Sequence, residues 1–102
     1  MTFTDRVYEI VKEIPPGKVA TYKDVAVMAG NPGAARAVGM AMSHNPSSDV
    51  VPCHRVVGSD GSLHGYAFGG QPAKLQHLLD EGVEFIDGRV DMSKYRWTPR
   101  LS

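Results

Sequence analysis

The sequence predicts a mainly α fold with short β hairpins, organised around a helix-turn-helix. Three observations predict it. Four helical stretches are each bounded by a capping or breaking residue. The second and third are separated only by Gly30-Asn31-Pro32-Gly33, the brief glycine-containing turn of a helix-turn-helix. Two turn signals, Gly58-Ser59-Asp60-Gly61 and Asp87-Gly88, sit between short extended pieces.

The first helix follows from Phe3, Val7, Ile10, Val11 and Ile14, which recur at helical spacing. Thr2 or Thr4 supplies the cap, and Pro15-Pro16-Gly17 stops the helix near Ile14. After an extended link over 18–20, Thr21 opens a second helix. Asp24 stands in the partner position of a capping box, and Gly30 closes the helix after Ala29. A third helix covers residues 34–44. Asn45-Pro46-Ser47-Ser48-Asp49 is a loop leading to a short strand at 55–57, with 62–64 returning as its hairpin partner. Gly65-Tyr66-Ala67-Phe68-Gly69-Gly70 is a glycine-framed loop. The last clear helix starts at Gln71 or Pro72, turns Leu75, Leu78 and Leu79 to the core, and ends at Gly82. The tail 91–100 is basic and aromatic; it either packs on the domain or touches a phosphate.

A length of 102 residues suits one domain, expected to cover 1–102, with a single modest core. The apolar share of 42% and charged share of 22% are those of a soluble globular chain. No apolar run reaches the ~20 residues that span a bilayer. The first residues carry no secretory apolar region. A lone cysteine makes no internal disulfide, which fits a reducing, cytoplasmic setting. Eleven basic residues balance eleven acidic ones. A nucleic-acid partner would therefore be held more by shape and a specific pocket than by a broad basic face.

Chemistry concentrates in Val50-Val51-Pro52-Cys53-His54-Arg55-Val56-Val57, which holds the only cysteine, next to a histidine. A base or cation beside a thiol, with some solvent access, shifts it toward thiolate. The plainer alternative is a buried small hydrophobe among valines. Tyr22 lies in a first helical turn, where its side chain can project past the helix end. The third helix carries Ala34, Ala35 and Gly39 around one arginine, Arg36. Small residues let a backbone approach a surface closely, which suits minor-groove docking better than base-edge readout; they equally suit helix packing. Glu81 sits in a last helical turn, where the helix dipole disfavours a carboxylate. Asn45 is close enough in the chain to brace the Cys53 turn. His44, His54, His64 and His77 with Cys53 lack metal-ligand spacing, so no metal site is expected.

At Pro52-Cys53-His54-Arg55-Val56-Val57 the chain resembles the O6-alkylguanine-DNA alkyltransferase family. Thr21-Tyr22, Gly30-Asn31-Pro32, Ala34-Ala35-Arg36-Ala37-Val38-Gly39, Asn45-Pro46, Gly65-Tyr66 and Leu78-Leu79-Asp80-Glu81-Gly82 follow in family order over roughly residues 3–90. The resemblance implies a winged-helix-like helix-turn-helix DNA-binding domain without a separate N-terminal domain. It implies minor-groove docking with close approach through Ala34, Ala35 and Gly39. Arg36 would fill the gap left by a flipped nucleotide, and Tyr22 would crowd the neighbouring phosphate. The lesion pocket would be lined by Val51, Pro52, Cys53 and Tyr66. In family transferases the cysteine accepts the alkyl group, activated by histidine through a water and by the glutamate behind it; here these are Cys53, His54 and Glu81, with Asn45 bracing the turn.

Ala67 stands where a serine follows the tyrosine in the family, Ser48 where a proline shapes the pocket wall. With the Lys94-Tyr95-Arg96-Trp97-Thr98-Pro99 tail, these features resemble the alkyltransferase-like proteins, although that group typically has tryptophan or alanine in place of the cysteine. The expectation is a monomeric, cofactor-free protein that binds O6-alkylguanine in double-stranded DNA and signals to nucleotide excision repair proteins. The alternative is a one-turnover methyltransferase acting through Cys53. A helix-turn-helix transcription factor is the third reading, disfavoured by the scarcity of base-reading side chains on the third helix.

Overall fold

The computed structural model describes residues 2–47, 49–64 and 70–98. The elements run α1 (Phe3–Glu13), β1 (Ala20–Thr21), α2 (Tyr22–Met28), α3 (Ala35–Ser43), a 3-10 turn (Cys53–Arg55), β2 (Val56–Val57), α4 (Gly70–Asp80), β3 (Phe85–Ile86), β4 (Arg89–Val90) and α5 (Met92–Tyr95). The mainly helical, helix-turn-helix expectation holds. Thr2, not Thr4, caps α1 through a reciprocal box with Asp5, and Thr21 and Asp24 form the same box on α2. Gly30 adopts φ +93°, the left-handed conformation that ends α2 and turns the chain toward α3. The Tyr8 hydroxyl donates to the Ala41 carbonyl at 2.9 Å, tying α1 to α3.

The two sheets differ from each other. β3 and β4 form the expected antiparallel hairpin around Asp87-Gly88. The hairpin expected between 55–57 and 62–64 does not form. β2 instead pairs in parallel with β1, Ala20 opposite Val56 and Thr21 opposite Val57. The helix-turn-helix is thus the crossover between two paired strands. The returning segment turns away to β4: the Val90 N–H donates to the Gly61 carbonyl at 2.9 Å. Arg55, expected in the strand, lies in the 3-10 turn before it.

The β1–β2 ladder divides the interior into two cores. Ala20 and Val56 face a cluster made with Val7, Val11 and Ile14 of the α1 region, Val25 and Ala26 of α2, and Val38, Ala41 and Met42 of α3. Val19 and Val57 face the other side, with Leu78, Val83 and Val90. Alternation along each strand places neighbouring residues in opposite cores. On α4 the expected inward stripe is corrected. Leu78 is fully buried, but Leu75 and Leu79 are 37% and 47% exposed, and Lys74 is inside at 1%. The buried line of α4 runs through 74 and 78 to Glu81, so Leu75 and Leu79 fall one position off it.

The tail packs on the domain. The Val19 N–H donates to Tyr95 at 2.8 Å and the Trp97 N–H donates to Val19 at 2.6 Å. Trp97 rests against the first core. Arg96 grips Asp24 with Nε at 3.0 Å and Nη2 at 2.5 Å, so the tail also clamps the start of α2. Burial pushes the Asp24 carboxyl up, but the Arg96 and Thr21 hydrogen bonds outweigh it and hold the group below its ordinary value.

Candidate functional site at the Cys53 turn and the recognition helix

The Cys53 turn is built from backbone geometry. Pro52 precedes the turn and has no N–H to give. The Cys53 N–H donates back to the Val51 carbonyl at 2.7 Å. The buried Asn45 places Nδ2 on the same carbonyl at 2.7 Å and accepts from the Ser47 N–H through Oδ1 at 3.2 Å. Asn45 therefore locks the loop before Cys53 to the turn that carries it. The Val51 side chain packs in the first core beside Cys53.

The two residues that follow Cys53 in the chain enter a charged network with Glu81. The His54 Nε2 is 3.0 Å from Glu81 Oε2. Arg55 donates to the same carboxylate, Nε to Oε1 at 3.0 Å and Nη2 to Oε2 at 2.6 Å. Its third nitrogen, Nη1, donates to the Ile14 carbonyl at 2.9 Å, satisfying the end of α1. Burial raises the Glu81 carboxyl, yet hydrogen bonds from Arg55 and His54 prevail and hold it below the usual carboxylate range. Burial pushes His54 down, against the opposing pull of Glu81. His54 is therefore neutral near pH 7. Its Nε2 carries the proton toward the carboxylate, which leaves the lone pair on Nδ1. The His77 ring lies beside it, centroids 5.2 Å apart and tilted by 36°. Pro52, His54, Arg55, His77 and Glu81 line a rear cleft of about 390 Å³.

Lys74, like Arg55, is a group the sequence reading missed. Its Nζ lies 3.4 Å from the Tyr22 hydroxyl and 5.7 Å from the ring centroid. Burial lowers it to about 8, with the charge of Cys53 pulling the other way. Tyr22 is raised to about 12 by burial and then by Cys53. Burial likewise raises the Cys53 thiol, opposed by the Asn45 hydrogen bond and the Lys74 charge. The available signal was spacing: Lys74 stands four residues before Leu78 and seven before Glu81, on one helical face.

The front of the site is an open groove of about 740 Å³ lined by Tyr22, Ala35, Arg36, Gly39, Met40, Ser43 and His64. Arg36, Gly39, Met40 and Ser43 form one stripe along α3 at three- and four-residue spacing. Ala34 caps α3 without a side-chain hydrogen bond and packs against the first core. Tyr22 joins the groove to the Lys74–Cys53 group. Tyr66, Ser48 and the loop 65–69 lie outside the described residues. Among the described residues, no set of three or more His, Cys, Asp or Glu side chains is placed to hold a metal ion, and no helix is long and apolar enough to cross a membrane.

Residues 2–83 match the family described as 6-O-methylguanine DNA methyltransferase, DNA binding domain. The chain belongs to this family. Its methyltransferase relatives include the methylated-DNA–protein-cysteine methyltransferase of Methanosarcina barkeri, 52% identical over 66% of this chain and 42% of that protein. The chain spans less than half the length of the curated relatives it matches. Among solved structures, S. pombe Atl1 in complex with damaged DNA containing O6-carboxymethylguanine aligns with a TM-score of 0.85 at 36% identity, over 95% of both chains. Mycobacterium tuberculosis OGT in complex with DNA aligns with a TM-score of 0.76 at 45% identity, over 80% of this chain and 49% of the other. Both alignments support the helix-turn-helix DNA-binding fold of this methyltransferase family.

Proposed function

We propose that this chain recognises O6-alkylguanine in duplex DNA, docking α3 in the minor groove and drawing the damaged nucleotide out of the stack. The observation that carries this reading is the likeness to Atl1, which extends over 95% of this chain, in a protein bound to DNA with an O6-alkylated guanine. The geometry supports it in three ways. The groove stripe combines one cation, Arg36, with small residues. Gly39 is not demanded by the fold, since an added Cβ would make only an ordinary contact with Tyr22 at 4.0 Å; a glycine there leaves room for something outside the chain. Cys53 is 4% exposed, so a base within a duplex stack cannot reach it without being flipped. The bound lesion then marks the site for nucleotide excision repair proteins, with the protein acting as a monomer.

One observation favours a second reading, a one-turnover methyltransferase. The thiol stands with a neutral His54 whose tautomer Glu81 fixes, and with Lys74 behind Tyr22. In that reaction the sulfur attacks the alkyl carbon. The S–C bond forms as the O6–C bond breaks, the electron pair leaves with guanine, and the thiol's proton balances the charge through His54.

The separating experiment is intact-protein mass spectrometry after incubation with an O6-methylguanine duplex, run beside a binding titration. Binding without a mass gain, retained in Cys53→Ala, is the result expected of a lesion sensor. One methyl per protein, absent in Cys53→Ala, establishes the transferase. Equal affinity for damaged and undamaged duplexes together with no mass gain refutes both.

A further inference from the structure

His64 stands in the groove in a prepared seat. Its ring meets Tyr22 edge to face, centroids 5.6 Å apart at 69°. Its Nε2 is 3.5 Å from the Ser62 hydroxyl. Beneath it is Gly58, whose φ lies outside the left-handed region, so backbone conformation does not call for glycine there. Space does: a Cβ at Gly58 would fall 2.7 Å from His64 Nε2, 3.2 Å from its Cδ2 and 2.6 Å from Ser62 Oγ. The missing side chain at 58 is what lets the imidazole lie down against the turn and reach Tyr22. Tyr22 is thereby held at two points, its hydroxyl by Lys74 and its ring by His64.

We propose that His64 is a specificity-determining positioning residue, an aromatic prop seated on Gly58 that fixes the Tyr22 ring in the groove. The inference rests on the reading that this groove receives the lesion-bearing duplex. An edge-to-face pair has directional preference as well as contact area, so it restricts where the Tyr22 ring points rather than merely covering it. A ring held in place before DNA arrives loses less freedom on binding than one free to rotate.

The test compares His64→Ala, His64→Phe and Gly58→Ala, reading the affinity ratio for an O6-methylguanine duplex over the matched guanine duplex. His64→Ala is expected to lower that ratio about three- to tenfold, the range of one aromatic pair. His64→Phe keeps an edge for Tyr22 and is expected to restore most of it. Gly58→Ala should act like His64→Ala, and should add little in the His64→Ala background. An unchanged ratio in His64→Ala overturns the proposal. So does a His64→Phe as impaired as the alanine, which would assign the effect to a polar contact with DNA. The Tyr22 ring proton shifts in the free protein give a readout that needs no lesion: they should move in His64→Ala and largely return in His64→Phe. Should the wild type fail to prefer the lesion duplex, the functional reading fails and these shifts alone decide the role of His64; shifts unmoved in His64→Ala overturn it. They also stand in should Gly58→Ala not fold.

Discussion

Replacing Glu81 with glutamine tests the buried network directly. The carboxylate accepts from Arg55 Nε, Arg55 Nη2 and His54 Nε2, and its side chain is 18% exposed. Removing one partner of a buried ion pair costs about 3–5 kcal/mol, chiefly because the remaining charge stays desolvated. The residual exposure and the oxygen that glutamine retains reduce this to about 2–3 kcal/mol. For a domain of this size the loss corresponds to a fall in Tm of about 10–20 °C. The pH dependence has a definite sign. The folded Glu81 carboxyl lies below its unfolded value, so its stabilisation is complete above the unfolded value and is lost as pH falls through the folded one. Urea denaturation of wild type and Glu81→Gln at neutral pH and near pH 3 measures both quantities. The gap should be full at neutral pH and largely closed in acid, where a protonated glutamate resembles glutamine. A difference under about 0.5 kcal/mol at neutral pH would show that Arg55 and Glu81 behave as a solvated surface pair and would refute the argument.

Arg36→Ala and Tyr22→Phe should each weaken binding to an O6-methylguanine duplex about tenfold, ~1.4 kcal/mol, by fluorescence anisotropy; unchanged affinity in both sinks the groove reading. Gly61→Ala should destabilise by about 2 kcal/mol in thermal melts, because a side chain must adopt the left-handed φ of +84° and its Cβ would collide with the Val90 carbonyl. Lys74 makes stability rise with pH. Its folded value of about 8 lies below the ordinary 10.5, so between these the unfolded chain binds more protons. Between about pH 7.5 and about pH 9.5, wild type should gain roughly 2 kcal/mol relative to Lys74→Met. The raised values of Cys53 and Tyr22 lower stability toward alkaline pH in both proteins, and more so for Cys53 in Lys74→Met, where the lysine charge that holds the thiol down is gone.

Local signals were legible wherever chemistry is local. The Thr21–Asp24 box, the Gly30 stop and the Asp87-Gly88 hairpin each depend on residues within a few positions, and each stands where the sequence puts it. Pairings made across the chain were not legible. Val56 and Val57 read as half of a hairpin because turn residues follow them; their partner, β1, lies some 36 residues upstream, and two-residue strands carry too little alternation to reveal it. The tail gave no sign of α5 or of the Val19 bridge, since its anchor is a backbone group. At the site, the Cys53-His54 motif and Glu81 were found by their residue types. Arg55 and Lys74 were passed over because their roles come from burial, and a lysine is ordinarily a surface residue.

Burial explains why the motif alone does not decide between a reactive thiol and a silent one. Cys53 belongs to the first core, and the packing that holds it there also pushes its proton affinity up. The same desolvation pushes Lys74 down, so each group taken singly drifts toward its neutral form. Their mutual attraction acts the other way and favours thiolate with ammonium together. The state of the sulfur is thus a property of the pair, set by how much water the groove admits beside Tyr22, and a cysteine-histidine dipeptide contains no information about it. Burial outweighs the pull of Glu81 on His54 and favours its neutral form, so the imidazole supplies no cation to draw the thiol down. A rigid, core-packed cysteine also cannot move out to a ligand: Asn45 ties its turn to the preceding loop through the Val51 carbonyl. Whatever reaches Cys53 has to be carried in, and in both functional readings that task falls to the groove formed by Tyr22, Arg36 and α3.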